Sequence, residues 1–298
     1  MAKTRKPDFF QKTSIRYTIF VYFTISALVM ILLIGISVYG RLAGQLTEAI
    51  REENQTVINQ VNLSVDSYLR TIMKLSDSLY YGVIKNADLS EKSINSEFTL
   101  LYDNNKDQIS NIALLSKEGE LLAAMPAARL KTGMDVTREE WFQNTLERTD
   151  NLHFSLPHVQ YIFDNSENQY RWVISLSRAV EITQGTATDQ GVLLIDITYG
   201  SLKQLLDNVA MGNGGYLYLV SAWGDLIYHP RMQLIDAGLT GENLEEAARY
   251  RDGNYQEIYL GEKRDLAVKS VGYTGWKIIG VMPERGFSLN SIKTKVFV

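Results

Sequence analysis

The chain has 298 residues, of which 45% are hydrophobic and 21% are charged, an ordinary balance for a globular protein. Its formal net charge of −4 argues against a nucleic-acid-binding surface, because neutralising phosphates requires concentrated Lys and Arg. The absence of cysteine excludes disulfide bonds, a thiolate nucleophile and cysteine-ligated zinc.

The most informative N-terminal segment is residues 17–39, a run of 23 residues without a charge. A helix of this length, rising about 1.5 Å per residue, crosses the ~30 Å hydrocarbon core of a bilayer. Lys and Arg dominate residues 1–16, so we predict a cytoplasmic tail there, an uncleaved transmembrane helix at 17–39 and an extracytoplasmic remainder. A cleaved signal peptide, the alternative, has a shorter apolar region and a small-residue cleavage site.

Residues 40–100 are predicted to form a long stalk helix and a connecting segment. Apolar residues recur mostly at three- or four-residue spacing from Leu42 to Leu79, with one polar interruption at Asn54. Neither Pro nor Gly follows Gly44 in this stretch, so we expect one helix of about forty residues and about 60 Å. The polar residues 85–98 are predicted to be a loop before a further short helix.

Two later segments, 112–123 and 217–228, align without a gap at an offset of 105 residues. Each has an apolar run, a serine, a turn with glycine and an acid, and a second apolar run, which indicates a β-hairpin. The strand-like segments downstream of each hairpin are also similar. We therefore predict an α+β fold with two tandem modules built on antiparallel sheets, at 101–200 and 201–287.

Three predicted strands of the first module each have an apolar face and a face with polar groups. Alternation places His158 and Gln160 on one face of the first strand. It places Ser175 on the polar face of the second strand and Asp196 on the polar face of the third. The apolar faces are expected to pack on the long helix, so the polar faces are expected to line a small-molecule pocket. A buried Asp196 carboxylate needs a cation or several donors, which a ligand or Arg138 could supply; a half-exposed position at a strand end is the alternative.

A short helix carries further candidates. Thr137 is predicted to begin this helix, with Glu140 completing a capping box. Arg138, Trp141 and Phe142 are candidate ligand-binding residues, and simple anchoring of the two aromatic rings to the sheet is the alternative. The indole N–H favours the pocket for Trp141, because it offers a donor beside a flat apolar face.

Catalytic and metal-binding alternatives lack a supporting motif. A hydrolase would combine His158 with Asp196 and either Ser155 or Ser175, yet no G-x-S-x-G turn exposes a serine. The three histidines of the chain fit no metal-ligand spacing. We therefore predict no catalytic site, no metal and no cofactor in this chain.

The ordered series of a membrane helix, a long helix, two tandem modules and the segments WF, FSLPHVQ, VISLSRAV and GVLLIDI resembles a double Cache (dCache) sensor domain over about residues 42–287. The resemblance implies PAS-like modules, with the ligand pocket in the membrane-distal module at 101–200. It also implies a second membrane segment beginning within 288–298. The second module has no equivalent of PHVQ and no acid matching Asp196, so we expect it to act as a relay.

The same resemblance bears on the ligand. Amino-acid-binding members hold the ligand carboxylate with an arginine near a Trp-Tyr pair and hold its ammonium group with two acids. Here Arg138 stands one residue farther from Trp141, Phe142 replaces the tyrosine, and His158 begins the segment that should supply the first acid. Only Asp196 matches, so the expected ligand is a small polar molecule that is sugar-like, amino-acid-like or another metabolite.

Our leading interpretation from the sequence is the extracytoplasmic sensor of a bacterial two-component histidine kinase, with the kinase itself absent from this chain. We expect anchoring in the cell membrane and association as a homodimer, with no nucleic-acid partner. A chemotaxis receptor or a nucleotide cyclase is the alternative output. An anchored surface hydrolase and a structural adhesin are the rivals from other classes.

Overall fold

The computed structural model describes residues 15–89, 94–126, 129–149, 151–164 and 170–283. Most of the predicted cytoplasmic tail and the predicted start of a second membrane segment at 288–298 therefore lie outside the described residues. The chain divides into two compact units, one ending at Glu53 and one beginning at Asn54.

The first helix, α1 (Ile15–Asp77), runs without a break through the predicted membrane helix and the predicted stalk. Its most apolar stretch has a mean hydropathy of 2.7, and the helix is long and apolar enough to cross a membrane. A π-helical segment (Ser78–Ile84) follows, and helix α2 (Asn95–Asn105) begins inside the region predicted to be a loop.

The first module is built on a six-stranded antiparallel sheet. Its strands are β1 (Ile109–Ser116), β2 (Leu121–Met125), β3 (His153–Phe154), β4 (His158–Val159), β5 (Trp172–Gln184) and β6 (Ala187–Thr198). The order is β2-β1-β6-β5-β3, and β4 also pairs with β5. Helix α3 (Glu140–Glu147) packs against β5 and β6, and helix α4 (Tyr199–Asp207) leads to the second module.

The second module repeats this topology with five antiparallel strands. They are β7 (Tyr216–Val220), β8 (Leu226–Tyr228), β9 (Gly253–Tyr259), β10 (Glu262–Val271) and β11 (Trp276–Pro283). Their order, β8-β7-β11-β10-β9, matches that of the first sheet strand for strand. Two short helices, α5 (Met232–Asp236) and α6 (Leu244–Arg249), connect β8 to β9. The predicted α+β fold with tandem antiparallel sheets is confirmed.

The two N-terminal hairpins turn in the same way. The amide of Ser116 donates to the carbonyl of the acid four residues later at 2.9 Å, and that of Ser221 does so at 2.8 Å. Both turns need a glycine with positive φ, 83° at Gly119 and 94° at Gly224, a region that side chains with a Cβ rarely adopt. The sequence repeat therefore corresponds to a repeated backbone conformation.

From Asn54 onwards, α1 lies along both sheets and shares one hydrophobic core with them. Buried helix residues such as Val65 and Ile72 pack in the same cluster as Ile195 of the first sheet and Ile278 of the second. The polar interruption at Asn54 belongs to this core: its side chain is 1% exposed and its amide donates to Met282 Sδ at 2.8 Å.

Alternation along β6 divides its side chains between two layers, as predicted. Leu193 and Ile195 join the core with α1, whereas Val192 and Leu194 pack in a second apolar cluster that includes Phe142 of α3. Asp196 continues the second set, so it lies on the face of the sheet that α3 covers.

Candidate functional site

The centre of the candidate site is Asp196, which strand register places between two polar neighbours. It pairs with Asn111 of β1 on one side and with Ser175 of β5 on the other. Ser175 Oγ donates to Asp196 Oδ1 at 2.5 Å, and Asn111 Nδ2 donates to Oδ2 at 3.3 Å. Asn111 was not predicted, although a polar residue inside the apolar run of β1 is a signal that could have found it.

The Asp196 carboxyl is buried, with only 1% of the residue exposed. Burial raises the pKa of Asp196 above its ordinary value, although hydrogen bonds from Ser175 and Asn111 and the nearby His158 act in the opposite direction. Among the residues that the structure describes, no Lys or Arg forms an ion pair with this carboxylate. The site therefore holds an acid whose negative charge is incompletely balanced.

His158 lies on the solvent side of this acid. Its Nδ1 is 2.9 Å from the carbonyl oxygen of Leu156 and 3.3 Å from Ser155 Oγ, and its Nε2 is 3.5 Å from Ser175 Oγ. Because a carbonyl oxygen only accepts, Nδ1 carries a proton and donates to Leu156. Ser175 Oγ thus lies between the imidazole and the buried carboxylate.

Tyr161 lies against His158, and Trp141 lies near the Tyr161 hydroxyl. The Tyr161 ring stands edge-on to His158 at 5.8 Å, and its hydroxyl donates to Glu139 Oε2 at 2.7 Å. Burial and the Glu139 carboxylate raise the pKa of Tyr161 to about 12. The buried indole Nε1 of Trp141 approaches the same hydroxyl but makes no well-aligned hydrogen bond, so it keeps a donor to offer.

The remaining predicted site residues occupy three different environments. Phe142 is 1% exposed and packs edge-to-face with Trp141 in the apolar cluster under the helix, so it anchors α3 to the sheet. Gln160 is buried at 4% exposure, but β4 ends at Val159, so the prediction that Gln160 shares a strand with His158 is wrong. The Arg138 side chain is 85% exposed and pairs with Asp135 at 2.9 Å, so the structure does not bring it to Asp196.

The predicted capping box at Thr137 is wrong. Residues Val136–Arg138 form a separate 3-10 turn whose first amides are capped by Asp135, which accepts from the Thr137 amide at 3.2 Å. Helix α3 begins only at Glu140, after Glu139 has adopted an extended conformation. A short aspartate side chain two residues upstream competes successfully for the Thr137 amide.

The arrangement does not match the hydrolase alternative. In a catalytic triad the histidine lies between the serine and the acid, and takes the serine proton. Here Ser175 donates its proton directly to Asp196, and His158 lies beyond the serine. Within the described part of the chain, no group of three or more His, Asp or Glu side chains is placed to hold a metal ion.

Two of the cavities formed by the described residues have polar linings and lie outside this cluster. One of about 330 Å³ opens in the first module beside Tyr81, Asn151 and Arg178. The other, of about 660 Å³, lies in the second module and is lined by residues such as Tyr216 and Arg264. The sequence pointed to a relay in the second module and gave no signal of this cavity.

Curated relatives with similar sequences are chemotaxis proteins. The methyl-accepting chemotaxis protein TlpA of Bacillus subtilis is 20% identical over 276 residues, which cover 91% of this chain and 39% of TlpA. McpA of the same organism is 22% identical over 245 residues, covering 81% of this chain and 33% of McpA. The chain thus spans about two fifths of the length of TlpA and a third of McpA.

Solved structures with the same fold are ligand-binding domains of chemoreceptors. That of Campylobacter jejuni Tlp3 in complex with 4-methylisoleucine has a TM-score of 0.61 at 14% identity, covering 81% of this chain and 95% of that one. That of Pseudomonas aeruginosa PctC in complex with GABA has a TM-score of 0.57 at 16% identity, covering 76% and 96%. Both of these domains were solved with a small ligand bound.

The family model for the Cache domain matches residues 42–290. The match takes in α1 beyond the predicted membrane helix, both sheets and the Asp196 cluster. Cache sensor domains of chemoreceptors lie outside the cytoplasm, which agrees with one apolar helix at the N-terminal side of the domain. The chain therefore belongs to the Cache family, as a double Cache sensor domain behind a helix long enough to cross a membrane.

Proposed function

We propose that this chain is the extracytoplasmic sensor of a methyl-accepting chemotaxis receptor, which is membrane-anchored and homodimeric. Its curated relatives support the chemotaxis alternative over the histidine kinase that led our sequence interpretation. A hybrid tests the output: residues 1–298 replace the corresponding part of TlpA in cells without other receptors. A chemotactic response that follows this chain's ligand supports the proposal, and a hybrid that binds the ligand without any response contradicts it.

The first module is proposed to bind an amino-acid-like molecule through its ammonium group. The observation that carries this proposal is the buried Asp196 carboxylate, which receives hydrogen bonds from Ser175 and Asn111 but no ion pair from any residue that the structure describes. An ammonium group offers three donors and a full positive charge, which compensate for the cost of burying the carboxylate. The amino-acid ligands in the solved structures of similar domains favour this class of molecule over sugars.

Ligand entry requires the segment that carries His158 to move away from Asp196. The strands of this segment are short, because β3 and β4 are two residues long and each pairs with β5. Its movement would break the backbone hydrogen bond from Ser155 to Ser175, a cost that ligand binding has to offset. The ligand ammonium would replace the Ser175 hydroxyl as the donor to Asp196, while the rings of Tyr161 and Trp141 close over the ligand. The free indole N–H of Trp141 is then available to the ligand carboxylate.

A thermal-shift screen tests the ligand class. The full chain in detergent micelles is heated in the presence of each common L-amino acid, GABA and a set of neutral sugars. An amino acid at 100 times its Kd is expected to stabilise the protein by about 2.7 kcal/mol. The Asp196→Asn variant should lose this stabilisation because a neutral amide cannot pair with an ammonium group.

Asp189→Asn is the matched control, since Asp189 lies on the same strand but is exposed and paired with Lys117. This variant should respond to ligand as the wild type does. Stabilisation by neutral sugars alone, or stabilisation by an amino acid that persists in Asp196→Asn, would show that the proposed ammonium site is wrong.

A further inference from the structure

The second module contains a cavity of about 660 Å³, within the range of about 300–1,000 Å³ that is typical of small-molecule sites. It lies on the sheet face that carries Tyr218 and Ile279, whereas the alternate residues Leu219 and Ile278 pack in the core with α1. The repeat places Tyr216 of β7 where the first module has Asn111. The cavity is therefore the structural counterpart of the Asp196 region.

A buried polar network forms the inner wall of the cavity. Glu242 Oε1 accepts from the Tyr216 hydroxyl at 2.6 Å and lies 3.3 Å from His229 Nε2. Arg264 pairs with Glu242 at 2.8 Å and donates from Nε to Glu257 at 2.5 Å. Although burial opposes it, the donors from His229, Tyr216 and Arg264 hold the pKa of Glu242 below its ordinary value. Glu242 is therefore ionised, and its charge is already balanced.

His229 adds no positive charge to this wall. Its Nδ1 accepts a hydrogen bond from the backbone amide of Arg231 at 2.9 Å, so Nδ1 carries no proton. The single ring proton lies on Nε2, from which it is donated to Glu242. The imidazole is neutral, and Arg264 shares its charge between two carboxylates.

Arg231 is the charged group that the network leaves available. Its guanidinium lies over the Tyr216 ring, 5.6 Å from the centroid, and its side chain is exposed to the cavity side of the module. No Asp or Glu in the described ranges forms an ion pair with it. The other charged residues at the rim, Glu262 and Lys263, are adjacent in sequence, opposite in sign and both exposed.

The hairpin turn between β9 and β10 forms part of the cavity rim. Leu260 has φ of 51° and Gly261 has φ of 84°, as expected for the two central residues of a tight hairpin turn between the paired residues Tyr259 and Glu262. Leu260 is therefore placed by the hairpin. It lines the cavity although it is 81% exposed. The rim at this point is a tight hairpin turn that borders the cavity.

We propose that this cavity is a second ligand site, which takes a small carboxylate. The planar guanidinium of Arg231 would bind the ligand carboxylate through two parallel hydrogen bonds, stacked against the Tyr216 ring. Hydroxyl or carbonyl groups of the ligand would face the Tyr216 and Tyr259 rim, with the buried Glu242 network keeping that wall in place. The site is separate from the Asp196 site and does not depend on it.

The test is a thermal-shift and calorimetric titration of the full chain in detergent micelles. The probes are acetate, pyruvate, lactate, malate and succinate, each compared with its uncharged amide. At least one carboxylate should stabilise the wild type while its amide has no effect. Arg231→Gln should weaken that carboxylate at least tenfold, and Arg231→Lys should retain part of the affinity because it keeps the charge but not the planar pair of donors.

Arg249→Gln is the matched control, because Arg249 is an exposed arginine of the same module that pairs with Glu245 and does not line the cavity. This variant and Asp196→Asn should both bind the carboxylate as the wild type does. The proposal is overturned if no carboxylate binds, if the amides bind equally well, or if Arg231→Gln leaves the affinity unchanged. Loss of the carboxylate in Asp196→Asn would assign binding to the first module instead.

Discussion

At the residue scale, the proposed ligand site depends on one acid whose hydrogen-bond donors among the described residues carry no charge. Asp196 sits between Ser175 and Asn111 in a fully buried position, and the arginine expected to balance it, Arg138, is paired with Asp135 at the surface. Hydroxyl and amide donors reduce the cost of burying a carboxylate without removing it. The ligand-free protein therefore carries a destabilising group at the place where the proposed ligand supplies the missing charge.

The pH dependence of stability tests this view of Asp196. Because burial raises its pKa in the folded state, the unfolded chain loses this proton first, near the ordinary value of 3.8. Wild-type stability should therefore fall as the pH rises from that value through the raised folded pKa. Asp196→Asn has no such proton, so the ligand-free variant should exceed the wild type in Tm by a margin that grows with pH.

The measurement is Tm from pH 4 to 8 for the ligand-free full chain. Asp189→Asn is again the control: the hydrogen bond from Lys117 lowers the pKa of Asp189, so removing that exposed acid should give a small trend of the opposite sign. A margin for Asp196→Asn that stays constant or shrinks with rising pH would contradict the placement of this carboxylate.

At the scale of single elements, local patterns in the sequence predicted β5, β6 and the hairpin turns, whereas the strand expected to hold both His158 and Gln160 ends at Val159. The alternation in β6 separated Leu193 and Ile195 from Val192 and Asp196, and the structure assigns these pairs to opposite faces. Period-two alternation is a direct consequence of strand geometry, so it can be read without knowing the partner strand. The turn at Gly119 could also be predicted from the sequence, because a positive φ favours glycine.

Features that depend on competition between neighbouring groups could not be predicted from the sequence. Helix α3 begins at Glu140 and not at the predicted Thr137, because the Asp135 side chain accepts a hydrogen bond from the Thr137 amide. The π-helical segment at the end of α1 gave no signal in the hydrophobic spacing. Alternative helix starts and caps differ in free energy by about 1 kcal/mol, so a sequence pattern does not determine which one forms.

Gly191 of β6 tests the packing of the first sheet. A Cβ added there would lie 2.6 Å from the carbonyl oxygen of Leu115 and 2.1 Å from Ile182 Cδ1, so the strands must move apart. We expect Gly191→Ala to lower the free energy of unfolding by about 1–3 kcal/mol. Urea denaturation of the full chain measures this change.

Gly200 provides the comparison, because a Cβ on this residue of α4 would meet only Thr198 Cγ2 at an ordinary 3.8 Å. Gly200→Ala should be neutral or stabilising by up to about 1 kcal/mol, since alanine favours a helix. Equal effects at the two positions would mean that β1 and β6 do not approach as closely as the structure has them.

At the scale of the whole molecule, the repeat was visible in sequence but the cavity in the second module was not. The matching hairpins predicted two modules, and the strand orders of the two sheets agree. The second cavity instead depends on Tyr216, Arg231, Glu242 and Arg264, which come from separate stretches of the chain. No single window contains them, so their convergence emerges only from the fold.

The two modules also contact each other directly near the first site. The Leu152 amide donates to the Tyr273 hydroxyl at 2.9 Å, and Phe154 packs edge-to-face against Trp276 at 6.0 Å. Phe154 belongs to β3, four residues before His158, so movement of this segment on ligand binding would reach the turn between β10 and β11. These contacts give a physical route from the proposed amino-acid site to the second module.

The central claim is that a ligand ammonium group replaces the Ser175 hydroxyl as the partner of Asp196. A crystal structure of the full chain grown with the most stabilising amino acid of the screen tests it most directly. We predict the ligand nitrogen within about 3.2 Å of an Asp196 carboxylate oxygen, with the His158 segment displaced. An amino acid bound elsewhere, or a first module that stays empty with Ser175 still hydrogen-bonded to Asp196, would contradict the account.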